Sequence, residues 1–165
     1  MYNTAVFDKI GCPQRVVEHC LAVCRLALSI SEKVRIEIDR DLIHDGAMYH
    51  DIGRCMTHGI EHAVIGARIA SEMGLPEKVV RIIERHIGAG ITAEEAERLG
   101  LPKKDYIPQT PEEKIVSYAD NLIKGTQVVS FEEAMERFRY VLGENHLSIR
   151  MFEEMHKEIQ SWMIL

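Results

Sequence analysis

Apolar positions recur at steps of three and four along most of this chain, the period of amphipathic helices. In residues 13–34, opened by Pro13, the stripe runs Val16, Cys20, Val23, Ala27 and Ile30. Asp39 or Asp41 can cap a second helix ending near Gly53. A third is expected over 59–73, with Gly74 in the terminating position, and a fourth over 77–87, stopping at Gly88. Thr92 with Glu95 reads as a capping box for a short helix closed by Gly100. Thr110, Pro111 and Glu113 supply a cap, a first-position proline and a reciprocal glutamate for a helix running to Lys124 and ending at Gly125. Ser130 with Glu133 opens another that ends at Gly143, and residues 147–162 carry the last. No segment alternates convincingly as a strand. The expected fold is all-α, a bundle of about seven or eight helices.

Some polar residues interrupt the apolar faces. His19 lies between Val16 and Val23 in the first stripe. His62 shares a face with Ile65, Gly66 and Ile69, and His86 follows Ile82 and Ile83 by four and three. Asp120 stands between Val116 and Ile123. Each spacing turns an imidazole or carboxylate inward, and a buried carboxylate needs a partner or a metal. Each histidine alone also fits a satisfied core residue, and Asp120 alone fits an arginine pair. Four helices pointing such groups inward, together with the adjacent His50 and Asp51, favour a shared ion. Adjacent helical residues diverge by about 100°, so both can grip one ion only near a helix end. Nitrogen and oxygen donors without thiolate suit Mn, Fe, Co, Ni or Mg better than a structural zinc.

Composition narrows the classes. The chain has 165 residues, 46% of them hydrophobic and 28% charged, which suits one globular domain over 1–165. Twenty Lys and Arg against 26 Asp and Glu give a net charge of −6, which argues against broad nucleic-acid binding. No apolar run approaches the ~20 residues of a membrane span. The opening MYNTAVFDKIGCP does not read as a signal peptide. Cys12, Cys20, Cys24 and Cys55 form no CxxC pair and read as reduced thiols rather than a disulfide frame, so a cytoplasmic location is expected.

His19, then His50-Asp51-Ile52-Gly53, then Asp120 resembles the H…HD…D signature of HD-domain metal-dependent phosphohydrolases, in the HDIG variant. The resemblance spans about residues 12–125 and implies an HD-domain helical bundle, with 126–165 as C-terminal helices packed on the metal-binding core. It implies that His19, His50, Asp51 and Asp120 bind a first metal. His62, in HAVIGA, matches the H-x-x-x-G-A pattern of many relatives, and His86, in IIERHIG, matches the next histidine. The resemblance then implies a second ion bridged by Asp51, similar to bacterial HD enzymes that cleave diadenosine tetraphosphate. After His86 the chain reads HIGAGIT, without the GYP motif of HD-GYP cyclic dinucleotide phosphodiesterases. Position 54 is Arg where many HDIG proteins carry Lys; Arg donates to phosphate well but gives up a proton poorly.

The activity so implied is hydrolysis of a phosphate ester or anhydride, of a nucleotide or small phosphorylated metabolite, by metal-activated water. Asp51 and Arg54 are the catalytic candidates, and Arg54 and Lys124 the substrate-binding ones. Arg54 reads equally as a solvated loop residue, and Lys124 as a lysine favouring a helix C-terminus. His58 is expected near the entrance, whereas His44, His146 and His156 lie in more polar surroundings. Cys55 reads as a packed thiol without a role. Residues 88–111 are placed to form a lid or substrate-selecting wall, where Lys103 and Lys104 read as phosphate contacts or a solvated pair. Phe131, Phe138, Tyr140, Phe152 and Trp162 read as core or a self-association surface, which leaves a homo-oligomer open. The same ligand set also suits an HD-type di-iron oxygenase or a non-catalytic metal-dependent nucleotide sensor.

Overall fold

Side-chain caps start the helices where the sequence places them. The computed structural model describes residues 2–163, mostly helix. Helix α1 covers Ala5–Lys9, α2 Gln14–Ser31 and α3 Arg40–Tyr49, followed by a 3₁₀ turn over Ile52–Cys55. Then come α4 (His62–Glu72), α5 (Glu77–Glu84), α6 (Ala93–Arg98) and α7 (Pro111–Asn121). A two-residue antiparallel hairpin, β1 (Ile123–Lys124) with β2 (Gln127–Val128), precedes α8 (Phe131–Leu142) and α9 (Leu147–Met163). Asp39, Thr92, Thr110 and Ser130 each accept a bond from the backbone N–H three residues on. Glu113 is not reciprocal in the expected way. Its buried carboxylate accepts from the Gln109 N–H at 2.8 Å and from Arg85 at 3.1 Å, which ties the start of α7 to the end of α5.

The predicted stripe of α2 is buried against α3 and α7, and α5 packs on α3 and α4. One apolar core runs from Phe7 to Ile159, so α9 completes what α2 and α7 begin. Phe131, Phe138 and Phe152 join it, whereas Tyr140 is 92% exposed. Residues 88–111 fold on a small core of their own, Ile91, Ala96, Leu101 and Tyr106, packed with Ile60, Val64 and Ile87.

Several expectations need correction. Helix α1 was not anticipated, and among the described residues the helices number nine. The second predicted helix stops at Tyr49 instead of Gly53, because the chain turns at Asp51 into the 3₁₀ segment. Helix α5 stops at Glu84 and α7 at Asn121, so His86 and Lys124 lie beyond helix ends. The hairpin replaces the expected last turn of α7. Cys12 and Cys55 are not free thiols. They form a disulfide, with Cα atoms 4.6 Å apart, because the 3₁₀ turn packs beside the start of α2. Cys20 and Cys24 are free and buried. His156 is not in polar surroundings either; it stacks on Phe131 at 3.7 Å and shares a hydrogen bond of 2.6 Å with the Tyr118 hydroxyl. Among the described residues, no helix is long and apolar enough to cross a membrane.

Candidate metal centre

Five of the six predicted metal ligands sit at or near helix ends. His50 caps the C-terminus of α3, and Asp51 follows it. His62 is the first residue of α4, His86 lies two past the end of α5, and Asp120 is next to last in α7. Only His19 lies well within a helix, α2. The C-termini of α3, α5 and α7 therefore meet here, and the partial negative charge of those ends favours a cation.

The close approach of the 3₁₀ turn to α4 brings Asp51 to His62. A Cβ on Gly53 would stand 1.8 Å from the His62 carbonyl oxygen, and one on Gly66 would stand 3.0 Å from the Gly53 nitrogen. The two glycines let backbone pack on backbone. The His86 turn is held from α7: the Ser117 hydroxyl and the Asn121 amide each donate to the Gly88 carbonyl at 2.7 Å. Gly88 itself has φ 55°, a left-handed conformation that favours glycine.

All four histidines are oriented alike. The Nδ1 of His19, His50, His62 and His86 faces the carbonyl of Gly125, Ala47, Gly59 and Ile83, at 2.8, 2.7, 2.8 and 2.6 Å. A carbonyl can only accept, so each Nδ1 carries the hydrogen and each neutral ring turns the bare Nε2 inward. These nitrogens meet carboxylate oxygens. Asp120 Oδ1 lies 2.9 Å from His19 Nε2 and 3.4 Å from His50 Nε2. Asp51 Oδ2 lies 3.6 and 3.7 Å from the same two, while its Oδ1 lies 3.2 and 3.3 Å from His62 and His86. His62 and His86 present Nε2 to Nε2 at 3.2 Å. His50 Nε2 is, among the described residues, a buried polar atom with no hydrogen-bond partner.

So many acceptors pointing at one another require positive charge between them. Burial alone would discharge His50, but Asp51 and Asp120 outweigh it and hold its pKa well above the usual imidazole value. Burial likewise opposes charge on Asp51 and Asp120, yet the histidines hold both below the ordinary carboxylate range. His19 is raised despite burial, through Asp120, whereas burial dominates at His86 and lowers it. Without metal, protons fill this role. Three overlapping groups can hold an ion instead, the ligand atoms of each lying within 4.8 Å of one another: His19, His50 and Asp51; His50, His86 and Asp120; Asp51, His62 and His86. The donor set fits a divalent cation.

His50 is fully buried, and the other five of the six, His19, Asp51, His62, His86 and Asp120, line a cavity of about 790 Å³. Arg54 lies in its wall, with Nε 3.3 Å from Asp51 Oδ2 and Nη1 donating to the His58 carbonyl at 3.3 Å. His58 is exposed in the same wall, as expected. Lys124 also lines the cavity, but from β1 rather than one helical turn beyond Asp120. Lys103 and Lys104 are not in the lining; they pair with Glu97 and Glu84. His44 and His146 are likewise paired, with Asp45 and Glu95. The sequence reading missed Arg15 and Arg137, basic residues of the lining that carry no motif, and the tethers Ser117 and Asn121. Ser117 carried a signal, three residues before Asp120 on one helix face, whereas Asn121, adjacent to it, carried none.

The HD domain family matches residues 16–125, the stretch that carries all six clustered side chains. An uncharacterized protein of Methanocaldococcus jannaschii is 53% identical over 154 residues, 91% of this chain and 90% of the relative. A tRNA (cytidine(56)-2'-O)-methyltransferase of Picrophilus torridus is 40% identical over 147 residues, 88% of this chain but 42% of that protein. Among solved structures, the HD domain of the phosphodiesterase PgpH of L. monocytogenes shares the fold. Its TM-score is 0.54 at 19% identity, covering 89% of this chain and 91% of that one. With its six converging donors and this match, the chain belongs to the HD-domain family.

Proposed function

We propose that this chain is a metal-dependent phosphohydrolase that cleaves a phosphate ester or anhydride of a nucleotide or small phosphorylated metabolite. The observation that carries the reading is the crowding of bare imidazole nitrogens against two carboxylates at the floor of an open cavity. His19, His50, Asp51 and Asp120 would hold a first ion, and Asp51, His62 and His86 a second. Mn, Fe, Co and Ni suit the donors, and Mg is compatible. Divalent cations polarise phosphoryl oxygens and bring the pKa of water from ~15.7 toward ~7.

The protein's own groups do the rest. Asp51 directs one oxygen to each histidine group, so its charge offsets positive charge on both sides. The Nδ1–H bonds to four carbonyls fix the ring planes and the tautomer before substrate arrives. Arg54 keeps its charge at every working pH and presents planar N–H donors to phosphate oxygens; it cannot serve as general acid. Lys124 and Arg15 add positive charge at the rim. The activity of the methyltransferase relative is not carried over, since this chain spans about two-fifths of that protein.

The test is elemental analysis of purified protein with a phosphoester and nucleotide panel under Mn, Co and Ni. Metal close to two equivalents, phosphate release abolished by EDTA, and loss of both in Asp51→Asn are expected. Unchanged rates after complete metal removal would refute the proposal. So would iron with oxygen consumption and no phosphate release, which belongs to an oxygenase.

A further inference from the structure

The metal cavity has an apolar annex. A second cavity of about 380 Å³ shares Ile87, Gly88, Asn121 and Arg137 with it and continues between the 88–111 segment and α8. Its own walls are chiefly Ile60, Ile91, Leu99, Phe138, Val141 and Leu142. Three of these lie on the surface: Leu99 is 44%, Val141 70% and Leu142 38% exposed. Apolar side chains gathered around a recess beside a charged site are the usual lining of a small-molecule pocket, and the size falls in the range for one.

Two polar side chains of the annex, Glu95 and Asn121, are already engaged. Glu95 pairs with His146 at 3.1 Å, and the Asn121 amide donates to Gly88. Arg137 donates one bond, at 2.7 Å, to the carbonyl of Asn121, the residue after Asp120, and a guanidinium has four further donors. It stands in the wall common to both cavities. Gly88 leaves that wall bare, since a Cβ there would lie 3.7 Å from the Phe138 ring. Phe138 and the Arg137 plane supply flat surfaces on which a ring can lie.

We propose that the annex holds the planar organic group of the substrate, a nucleobase or aryl ring, while its phosphate lies over the His/Asp cluster and Arg137 contacts the ester between them. This rests on the phosphohydrolase reading and deepens it. Contact is apolar and stacking, so the annex selects for the presence and bulk of a ring, and bases are distinguished weakly. The device comes from α8 and Leu99 acting together, and α8 lies outside the matched segment 16–125.

The test uses 1-naphthyl phosphate, methyl phosphate and the four common nucleoside monophosphates with metal-replete protein, and 1-naphthol fluorescence with EDTA-treated protein. The altered protein is Leu99→Gln with Val141→Gln, both exposed positions where folding tolerates polar residues. Naphthol is expected to bind the unaltered protein without metal and to bind the double variant at least about 10-fold more weakly, the scale on which apolar pockets discriminate. The kcat/KM ratio of naphthyl to methyl phosphate should fall by a similar factor, with metal content unchanged. Equal naphthol binding in both proteins, or equal kcat/KM for methyl and naphthyl phosphates, would overturn the annex while leaving hydrolysis intact. Naphthol binding with no phosphate release from any ester would sink the hydrolase reading and leave an aromatic-binding annex.

Discussion

Gly53→Ala tests how the fold builds the centre. Gly53 is not in a left-handed conformation, so alanine there carries no backbone penalty of its own. Its methyl would meet the His62 carbonyl oxygen at 1.8 Å, the carbonyl carbon at 2.7 Å and the Gly66 nitrogen at 2.8 Å. These are backbone atoms at the start of α4, which cannot rotate aside as a side chain does. Overpacking against side chains costs about 1–3 kcal/mol, so this contact should lie at or above the top of that range. For a chain this size, about 3 kcal/mol lowers Tm by roughly 6–12 °C. Relief requires the 3₁₀ turn and α4 to part, which lengthens the 3.2 Å approach of Asp51 to His62. Asp51, His62 and His86 then lose their common geometry, while His19, His50 and Asp120 are anchored from α2, α3 and α7. The expected result is loss of about one metal equivalent, measured by calorimetric titration with Mn and elemental analysis. Gly46→Ala is the control: the three atoms nearest its methyl would all belong to the Ile82 side chain, the closest at 2.6 Å, so it should destabilise without changing stoichiometry. A Gly53→Ala protein with unchanged Tm and full metal content would refute the account of how Asp51 reaches His62.

The Cys12–Cys55 bridge closes a loop with a sequence separation of 43, so its removal by Cys55→Ser should cost about 4 kcal/mol on the chain-entropy estimate, read by urea unfolding. In the folded, unreduced protein iodoacetamide should label no cysteine at pH 8, because burial pushes Cys24 up to about 12 and raises Cys20 too; rapid labelling of two thiols would contradict the pairing. Metal-free protein should lose stability from pH 7 to 9. The raised pKa values of His19 and His50 contribute stability that is fully present below ~6.5 and is lost as pH climbs through their folded values. His86, lowered by burial, is neutral in both states over that interval and does not oppose the trend. Mn-loaded protein should not decline in the same way, since ion binding displaces those protons; parallel curves with and without Mn would refute this.

The helices were legible because each start carries its own chemistry: Thr92, Thr110 and Ser130 accept the bonds their spacing to a glutamate announces. The ends were less so. Periodicity runs past Tyr49, Glu84 and Asn121, since Ile52, Ile87 and Ile123 each follow an apolar residue by four, and the stops arise from tertiary contacts such as the packing of Gly53 on α4. Four of the donors interrupt inward apolar faces and two form an adjacent pair at a helix end, and all six converge. The helical-face rule holds for His19, His62 and Asp120, whereas His50 and Asp51 lie past the end of one helix and His86 past the end of another. What no local pattern carries is proximity between distant segments. Cys12 meets Cys55 across 43 positions, Arg137 meets Asn121 across 16, and Gly125 returns to His19 across 106. The second cavity joins distant segments in the same way: Leu99, Gly88 and Phe138 share no motif, and each reads alone as ordinary surface, turn or core. Motif spacing can therefore disclose the ions a site would hold, because donors are chemically rare. The wall proposed to select the substrate is built from common apolar residues and emerges only when the chain is folded.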